Sequence, residues 1–498
     1  MDIRKSERLA ICAILVGYVI LTVAMVKVRP PNADEGEHGS VAAIFERGHY
    51  LAMPMLNNIW LPGLDKHLYA VMPLYFVLLS GWFKAFGVDL ITMRLFSILW
   101  GGIGLLSWYV IVRVSSGDRL IPLLSLVLIG INYDYVDLSS GRYDVMCAAL
   151  NAAGLAVYLT LRERRLGLAL LLSNLLVAAA FMTHPYGVFG LVALILFVTF
   201  LDRDRLRLKL LAVSAVPYVV ALGAWGLYVI RDVAVFRAQF FTNAGSRLPQ
   251  GNPMAIFLEE VSGRYLGQMG GWRPHVPVYM KVKILLLAAI LVAFIGCCWL
   301  REIRQNRNYK LLLILAGAWF LMLTYLEPLK AYGYLIHILP LCFVLIAIWL
   351  GTLMKRPGWL HYIATTCVAL LALFAVMSVG YRVRLDSYRR VYLPAVAFLQ
   401  RHVGENAVVI APGEFGFQLG FDHVLDDELL RSAIIRRPEY IVVSKQTEDD
   451  GLQKLKAMDP ALYANVANLL AEQYRIAFES RAGYDFYRIY ARVSPPPP

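Results

Sequence analysis

Long apolar runs separated by short polar loops fill the chain from its N-terminus to Gly380. Most of these runs approach the roughly 20 residues that a helix needs to cross a bilayer. We therefore predict eleven membrane-spanning helices, near residues 9–28, 95–113, 119–135, 145–161, 167–182, 186–201, 209–229, 281–300, 310–326, 333–352 and 360–380. The first run follows Arg4, Lys5 and Arg8, and no small-residue cleavage site follows it, so we interpret it as a retained signal anchor.

The predicted topology depends on the apolar segment 68–86. Basic residues favour the cytoplasmic loops of membrane proteins, and a crossing at 68–86 would place the basic loops 162–165, 202–209 and 301–310 outside. We therefore predict that this segment is a juxtamembrane helix on the outer surface, a position that its Pro73, Ser80 and Lys84 also favour. The N-terminus is then cytoplasmic, and the loops 29–94 and 230–280 and the C-terminal region are extracytoplasmic.

From about Tyr381 the composition becomes that of a soluble domain. Residues 407–410, 440–443, 474–478 and 486–493 read as strands, while the periodicity of 394–403 and 459–472 predicts helices. We expect a polytopic α-helical membrane domain over residues 1–380, followed by a small α/β domain over residues 381–498 with a disordered proline-rich end. The sequence contains no internal repeat, Walker loop, dinucleotide fingerprint or zinc-ligand spacing.

The composition supports this class. With 59% hydrophobic and only 17% charged residues, most of the chain cannot form a soluble globule. The net charge of +13 would suit nucleic acid, but the basic residues lie in short loops, where orientation signals and lipid headgroup contacts account for them. All six cysteines fall within predicted spans, where we expect them to serve packing.

Two carboxylates, Asp34 and Glu35, follow the first span and are expected at the outer membrane surface. A carboxylate there can accept a proton from an acceptor hydroxyl, or bind a metal or a substrate hydroxyl. The alternative is helix capping, with Asp34 as the N-cap of a helix that runs from Glu35 to Arg47. Both interpretations can hold together.

Asp144 follows Arg142 at the outer end of the fourth span, where an unpaired charge would be costly. Asp144 is either a second site carboxylate or the partner of Arg142 in an ion pair; Arg142 could also pair with Asp137. Other polar residues at the outer surface can meet an anionic headgroup, although generic contact with lipid phosphate is equally open for the lysines; they are Lys66, His67, Lys330, Tyr332, Tyr334 and His337.

His184, in the turn Thr183-His184-Pro185, is either a satisfied turn histidine or a ligand. The long loop 230–280 contributes Arg264, Arg273 and His275 among other basic and aromatic residues. That mixture suits sugars or phosphates, and it equally suits a solvated basic loop.

The order and spacing of these motifs resemble the GT-C glycosyltransferase superfamily, most closely its protein mannosyltransferase and lipid A aminoarabinose transferase branch. The resemblance covers residues 1–200, with a weaker similarity to about residue 350. The matching stretches are Asp34-Glu35, Lys66, Pro73 to Gly87 (PLYFVLLSGWFKAFG, including Tyr75), Arg94 to Ser97, Arg142-Tyr143-Asp144, and Lys330 to Pro340 (KAYGYLIHILP).

The resemblance implies transfer of one sugar from a polyprenyl-phosphate donor at an extracytoplasmic cavity, with inversion. Asp34 takes the place of the catalytic carboxylate, Asp144 that of a second acidic residue, and Lys66 that of a lysine near the donor phosphate. Fixed cations at Lys66, Arg142 and Lys330 would stabilise the departing phosphate. No cofactor is expected; a Mg²⁺ or Mn²⁺ ion, where required, would lie between Asp34 and Asp144.

The resemblance leaves the sugar and the acceptor open, because Lys66-His67-Leu68 replaces the usual Lys-Pro-Pro and Gly36-Glu37-His38 follows the acidic pair. The acceptor is lipid A, a polysaccharide, another lipid or a protein, and we expect a monomer in the inner or plasma membrane. The alternatives are a transporter or flippase for lipid-linked sugars, for which paired repeats are expected, a membrane scaffold, and an oligosaccharide transferase.

Overall fold

The computed structural model describes residues 3–48, 50–247, 251–272, 278–404 and 407–493. Two compact units make up the structure. Unit one comprises Met1–Thr22, Ser97–Arg231 and Phe241–Ser378, and unit two comprises Val23–Phe96, Asp232–Phe240 and Val379–Pro498. The predicted disordered end, 494–498, lies outside the described residues.

Helices dominate the chain as far as Leu385. In chain order they are α1 Ile3–Val26, α2 Ala33–Glu46, α3 Leu74–Phe86, α4 Leu90–Ser116, α5 Leu120–Ile131, α6 Tyr133–Leu138, α7 Tyr143–Leu161, α8 Leu166–Phe181, α9 Gly187–Asp202, α10 Leu208–Val229, α11 Val233–Ser246, α12 Pro253–Glu259, α13 Ile284–Trp299, α14 Arg301–Gln305, α15 Arg307–Leu326, α16 Leu339–Met354 and α17 Trp359–Leu385. A π-helical segment, Glu260–Met269, continues α12.

An apolar helix occupies each of the eleven predicted spans, so the polytopic α-helical class is confirmed. Within the described ranges, seven helical segments are long and apolar enough to cross a membrane: Lys5–Val26, Leu90–Ser116, Tyr143–Leu161, Leu208–Val229, Lys281–Trp299, Arg307–Leu326 and Trp359–His402. Helix α3 is also apolar, but its 13 residues reach only about 20 Å, less than the roughly 30 Å of a hydrocarbon core. Helix α5, which occupies a predicted span, has only 12 residues, so length does not distinguish the two and the surface position of α3 stays a prediction.

Small residues allow the helices of unit one to approach each other closely. A side chain at Gly154 of α7 would lie 3.1 Å from the Ser173 carbonyl of α8. A side chain at Gly190 of α9 would lie 2.2 Å from Oδ1 of Asn151 in α7. Such contacts are a common basis of helix association in membranes, where apolar burial gives little driving force.

The C-terminal part of unit two is a small α/β fold, as predicted. Its helices are α18 Leu393–His402, α19 Gly416–Leu419, α20 Arg431–Arg436, α21 Gln453–Met458 and α22 Pro460–Gln473, and its strands are β1 Val409–Ile410, β2 Val424–Leu425, β3 Tyr440–Ser444, β4 Tyr474–Ala482 and β5 Asp485–Arg492. The sheet order is β2-β1-β3-β5-β4. Strands β2, β1 and β3 are parallel, whereas β3, β5 and β4 are antiparallel. The core contains Ile410, Ile441, Val443, Leu455 and Val466.

Helix α2 packs directly on this fold within unit two. A Cβ atom at Gly36 would lie 1.8 Å from the backbone carbon of Gly413, so only glycine allows this approach. A Cβ atom at Gly39 would lie 2.3 Å from the ring of Phe417. The helix that carries Asp34 is therefore seated on the C-terminal fold.

Several carboxylates gather at this contact. The backbone N–H of Gly413 donates to Oδ2 of Asp426 at 2.8 Å. Burial, followed by the charges of neighbouring carboxylates, raises the pKa values of Glu37 and Asp426 well above their usual range. Burial also raises the pKa of Glu414 to about 7, although the Tyr487 hydroxyl donates to its Oε1 at 2.6 Å.

The Glu414 carboxyl should make the full-length protein less stable as the pH rises from 5 to 8. Because its folded pKa lies above its unfolded value, its contribution is complete at low pH and is lost as the pH approaches 7. The change amounts to at most about 3 kcal/mol. Thermal midpoints measured across this range should fall less steeply for Glu414→Gln than for the wild type. The exposed control Glu472→Gln should follow the wild type, and equal slopes for all three proteins would contradict the prediction.

Candidate active site

The first turn of α2 presents the acidic pair predicted at the site. Asn32 is the N-cap, and its side chain accepts the Glu35 N–H at 3.0 Å. The Glu35 carboxylate in turn accepts the Asn32 N–H at 3.2 Å, which completes a capping box. The expectation that Asp34 is the N-cap is therefore wrong: the amide of Asn32 begins the helix two residues earlier. Asp34 lies in the first turn, partly exposed.

Glu35 is held by a buried arginine. Nε of Arg94 donates to Oε1 of Glu35 and its Nη2 donates to Oε2, both at 2.7 Å. Neither side chain is exposed. Arg94 also donates to the carbonyls of Val26, Arg29 and Pro30, at 2.7 to 3.1 Å. Burial raises the pKa of Glu35, but the charges of Arg29 and Arg94 outweigh it and hold that pKa below its usual value.

The remaining candidates of unit two differ in their surroundings. Lys66 is exposed, and its ammonium has no ion-pair partner among the residues that the structure describes. His67 packs against Tyr50, with ring centroids 4.7 Å apart, and the His67 carbonyl accepts from Gln239. Tyr75 is fully buried and contacts Phe96 edge to face, which makes it a core residue. Lys66 is the candidate most accessible to an anionic ligand.

In unit one, Asp144 lies at the start of α7 beside three other candidates. Nε of Arg142 donates to Oδ2 of Asp144 at 2.9 Å, so the predicted ion pair forms. Nε2 of His337 lies 3.8 Å from Oδ1 of Asp144. The ring of His184 stacks on Tyr143 at 5.1 Å, and burial lowers the pKa of His184 to about 3, so its ring is neutral at pH 7.

Lys330 and Arg264 meet at one carboxylate that the sequence did not single out, Glu260. Nζ of Lys330 is 3.2 Å from Oε2 of Glu260, and Nε of Arg264 is 3.1 Å from Oε1. Lys330 also donates to the Thr324 carbonyl at 2.5 Å. Arg264 is fully buried, and both of its terminal nitrogens lack a hydrogen-bond partner within the described structure. Burial raises the pKa of Glu260, against the two cations.

Tyr334 and Tyr332 each belong to a further polar cluster of unit one. Nη1 of Arg247 donates to the Tyr334 hydroxyl at 2.9 Å and lies 3.4 Å from Glu327. The Tyr332 hydroxyl donates to Asp134 at 2.5 Å, and Lys283 is 2.5 Å from the same oxygen. Tyr332 thus contacts an acidic residue in this structure. Arg273 and His275 lie outside the described residues.

Solved structures resemble this architecture over nearly its whole length. ArnT from Cupriavidus metallidurans in the apo state matches with a TM-score of 0.59 at 14% identity, covering 97% of each chain. The same protein bound to undecaprenyl phosphate matches with a TM-score of 0.55 at 13% identity, covering 97% of this chain and 98% of that one. The chain has the GT-C fold.

A second solved structure that this chain resembles is an oligosaccharyltransferase. The oligosaccharyltransferase AglB from Archaeoglobus fulgidus, in complex with an inhibitory peptide and a dolichol-phosphate, matches with a TM-score of 0.55 at 13% identity. The match covers 98% of this chain and 75% of AglB. No protein-family model and no curated protein matches this sequence.

Most cations of the candidate site were predicted from the sequence, and so was the Arg142–Asp144 pair, but the partners of Arg264, Lys330 and Tyr332 were not. Glu260 binds the predicted residues Arg264 and Lys330, and Asp134 accepts from the predicted Tyr332. Arg94, which holds Glu35, was named only within a stretch that resembles the family. A signal was present for Asp134 and Arg94, since each is an ionisable residue in or beside a predicted span, whereas Glu260 lies in the middle of the predicted loop 230–280. The linear sequence does not indicate which charges pair, because partners such as Asp134 and Lys283 come from distant parts of the chain.

Loss of the Arg94–Glu35 pair should destabilise the protein severely. Glu35→Gln leaves a buried guanidinium without its counter-charge, which typically costs about 3–5 kcal/mol. Unfolding of the detergent-solubilised protein by denaturant measures this. The exposed pair Arg47–Asp422 provides the control, because Arg47→Gln should cost no more than about 1 kcal/mol. Equal losses for the two variants would refute the anchoring role of Glu35.

Proposed function

We propose that the protein transfers a single sugar from a polyprenyl-phosphate donor to a hydroxyl or phosphate of a cell-envelope acceptor, with inversion. The observation that carries this proposal is the Arg264 guanidinium, fully buried with two unpartnered nitrogens among the described residues, in a chain with the GT-C fold. A member of this fold, ArnT, has been crystallised with undecaprenyl phosphate.

A buried guanidinium requires an anion. Arg264 and Lys330 carry two positive charges, and Glu260 supplies one negative charge in return. The remaining charge and the free N–H groups suit a phosphate, which arginine binds through two parallel hydrogen bonds. The donor phosphate is therefore assigned to Arg264, with Lys330 and Tyr334 as its neighbours. Arg142 is bound to Asp144, so its part in phosphate binding is secondary.

The reaction needs a base as well as a phosphate site. Asp34 accepts the proton of the acceptor hydroxyl while that oxygen attacks the anomeric carbon of the sugar. The bond from this carbon to the phosphate oxygen breaks, and the polyprenyl phosphate leaves with the electron pair. Fixed cations stabilise the charge that develops on the leaving group, a role that the family resemblance also implies for Lys66. General-base assistance of this kind typically contributes about 10²–10⁴-fold.

The other predicted residues take supporting roles in this proposal. Glu35, held by Arg94, positions the turn that carries Asp34 instead of reacting itself. Tyr75 supports unit two from its core, and the possible substrate-binding roles of His67 and Tyr332 stay predictions. We further propose that the N-terminus is cytoplasmic, that the C-terminal fold is extracytoplasmic and binds the acceptor, and that the monomer is the working form.

Asp34→Asn should abolish sugar transfer without abolishing donor binding. The amide keeps the shape of the side chain but cannot accept the proton, so kcat should fall at least about 100-fold. Release of polyprenyl phosphate is measured in reconstituted vesicles, with a panel of polyprenyl-phosphate sugars and a membrane extract as acceptor. Glu46→Gln, at the other end of the same helix, is the matched control. Acceptor-dependent release at wild-type rate in Asp34→Asn would exclude Asp34 as the base.

Arg264→Gln should weaken donor binding more than it slows the chemical step. Loss of a charged pair of hydrogen bonds to phosphate predicts a rise in donor KM of about tenfold or more. Arg237→Gln, an exposed arginine of the same long loop, should leave KM unchanged. An unaltered donor KM in Arg264→Gln would contradict the assignment of the donor phosphate to Arg264.

A further inference from the structure

Three potential metal ligands meet in unit one, at Asp144, His184 and His337. A carboxylate oxygen of Asp144 and one ring nitrogen of each histidine all lie within 4.8 Å of one another. We call this group the Asp-His-His cluster. It joins the start of α7, the turn between α8 and α9, and the segment before α16, so three separate parts of the chain converge on it.

The cluster contains polar atoms that nothing in the described structure satisfies. Oδ1 of Asp144 and both ring nitrogens of His337 are buried without a hydrogen-bond partner. The two side chains are only 1% exposed. Buried polar groups are almost always bonded, because they have given up their contacts with water. At 3.8 Å, the Asp144 oxygen and the His337 nitrogen are too far apart for a direct hydrogen bond.

We propose that Asp144, His184 and His337 bind one Zn²⁺ ion. Two imidazoles and one carboxylate are the ligand set of zinc sites that keep a fourth position open. Nitrogen ligands favour zinc over Mg²⁺, which prefers oxygen. The inference therefore differs from the Mg²⁺ or Mn²⁺ ion that the sequence placed between Asp34 and Asp144.

Neighbouring side chains already orient the three ligands. The ring of Tyr143 stacks on His184, and the ring of Phe189 stacks on His337 at 5.5 Å. Nε of Arg142 donates to Oδ2 of Asp144, so Oδ1 is available to bind a metal. Support of this kind around the ligands is a regular feature of metal sites in proteins.

Two features limit the affinity of the Asp-His-His cluster for Zn²⁺. The Tyr186 N–H donates to Nδ1 of His184 at 3.1 Å, and ligation through either ring nitrogen disrupts this bond. The guanidinium of Arg142 also repels a cation nearby. Because of these two features, we expect the cluster to bind zinc more weakly than closed structural zinc sites do. An anionic oxygen in the fourth coordination position would offset the repulsion by Arg142, so the occupied site favours an anion as its fourth ligand.

Metal binding is measured on tag-free, full-length protein in detergent, without donor, so that the result is independent of transferase activity. After EDTA treatment and dialysis against Zn²⁺, the wild type should retain one equivalent by mass spectrometry. Titration with Co²⁺ should produce the visible absorption of a nitrogen-ligated ion. His337→Gln and Asp144→Asn should bind at least tenfold more weakly, whereas His402→Gln, an exposed histidine outside the cluster, should bind like the wild type.

A thermal-stability measurement on the wild type alone tests the zinc site without relying on variants that could misfold. Zn²⁺ should raise the thermal midpoint of the stripped protein, and the same concentration of Mg²⁺ should not. Absence of bound zinc, or zinc retained in full by a folded His337→Gln variant, would overturn the proposal. Zinc binding by a protein that transfers no sugar would refute the proposed function while leaving this site intact.

Discussion

The Arg94–Glu35 pair is the interaction on which the position of Asp34, the proposed base, depends. Both charges are fully buried, and two hydrogen bonds join them. The same guanidinium binds three backbone carbonyls where the chain leaves α1, so one side chain fixes the exit of that helix and the start of α2. Such a pair contributes little net stability, because desolvation offsets its attraction. Its value lies in specificity, since any other path for this segment would leave buried charges unpaired.

In unit one, too, the buried charges discussed above are paired, with one exception. Asp144, Asp134 and Glu327 each face a cation, as charges in apolar surroundings must. At Glu260 one carboxylate serves two cations, and Arg264 keeps two nitrogens unsatisfied within the described ranges. Apolar residues of similar volume can often replace buried ion pairs without loss of stability, so structure alone does not require a buried arginine here. A buried cation in excess therefore points to an anionic ligand, which is the basis of the phosphate site that we propose.

Hydropathy alone predicted the eleven spans that apolar helices occupy, because a helix that crosses a bilayer needs a long run of apolar residues. Strand β2 escaped prediction because its two residues carry no periodicity. The N-cap was misassigned because Asn32 and Asp34 are both good capping residues. Asn32 caps the helix through its capping box with Glu35. The sequence could indicate which residues belong to a site but not which of them lie together. His184 meets Asp144 and His337 only through helix packing, which no local sequence pattern encodes.

The packing of α2 affects how the C-terminal fold can be assigned a role. Because Gly36 touches the Gly413 backbone, this fold supports the helix that carries Asp34. Deleting the fold would remove that support and lower activity even if acceptor never touched it. A loss of activity on deletion is therefore no evidence for acceptor binding. Only substitutions on surfaces of the fold away from α2 separate the two roles, because they can change the acceptor KM while the position of Asp34 is preserved.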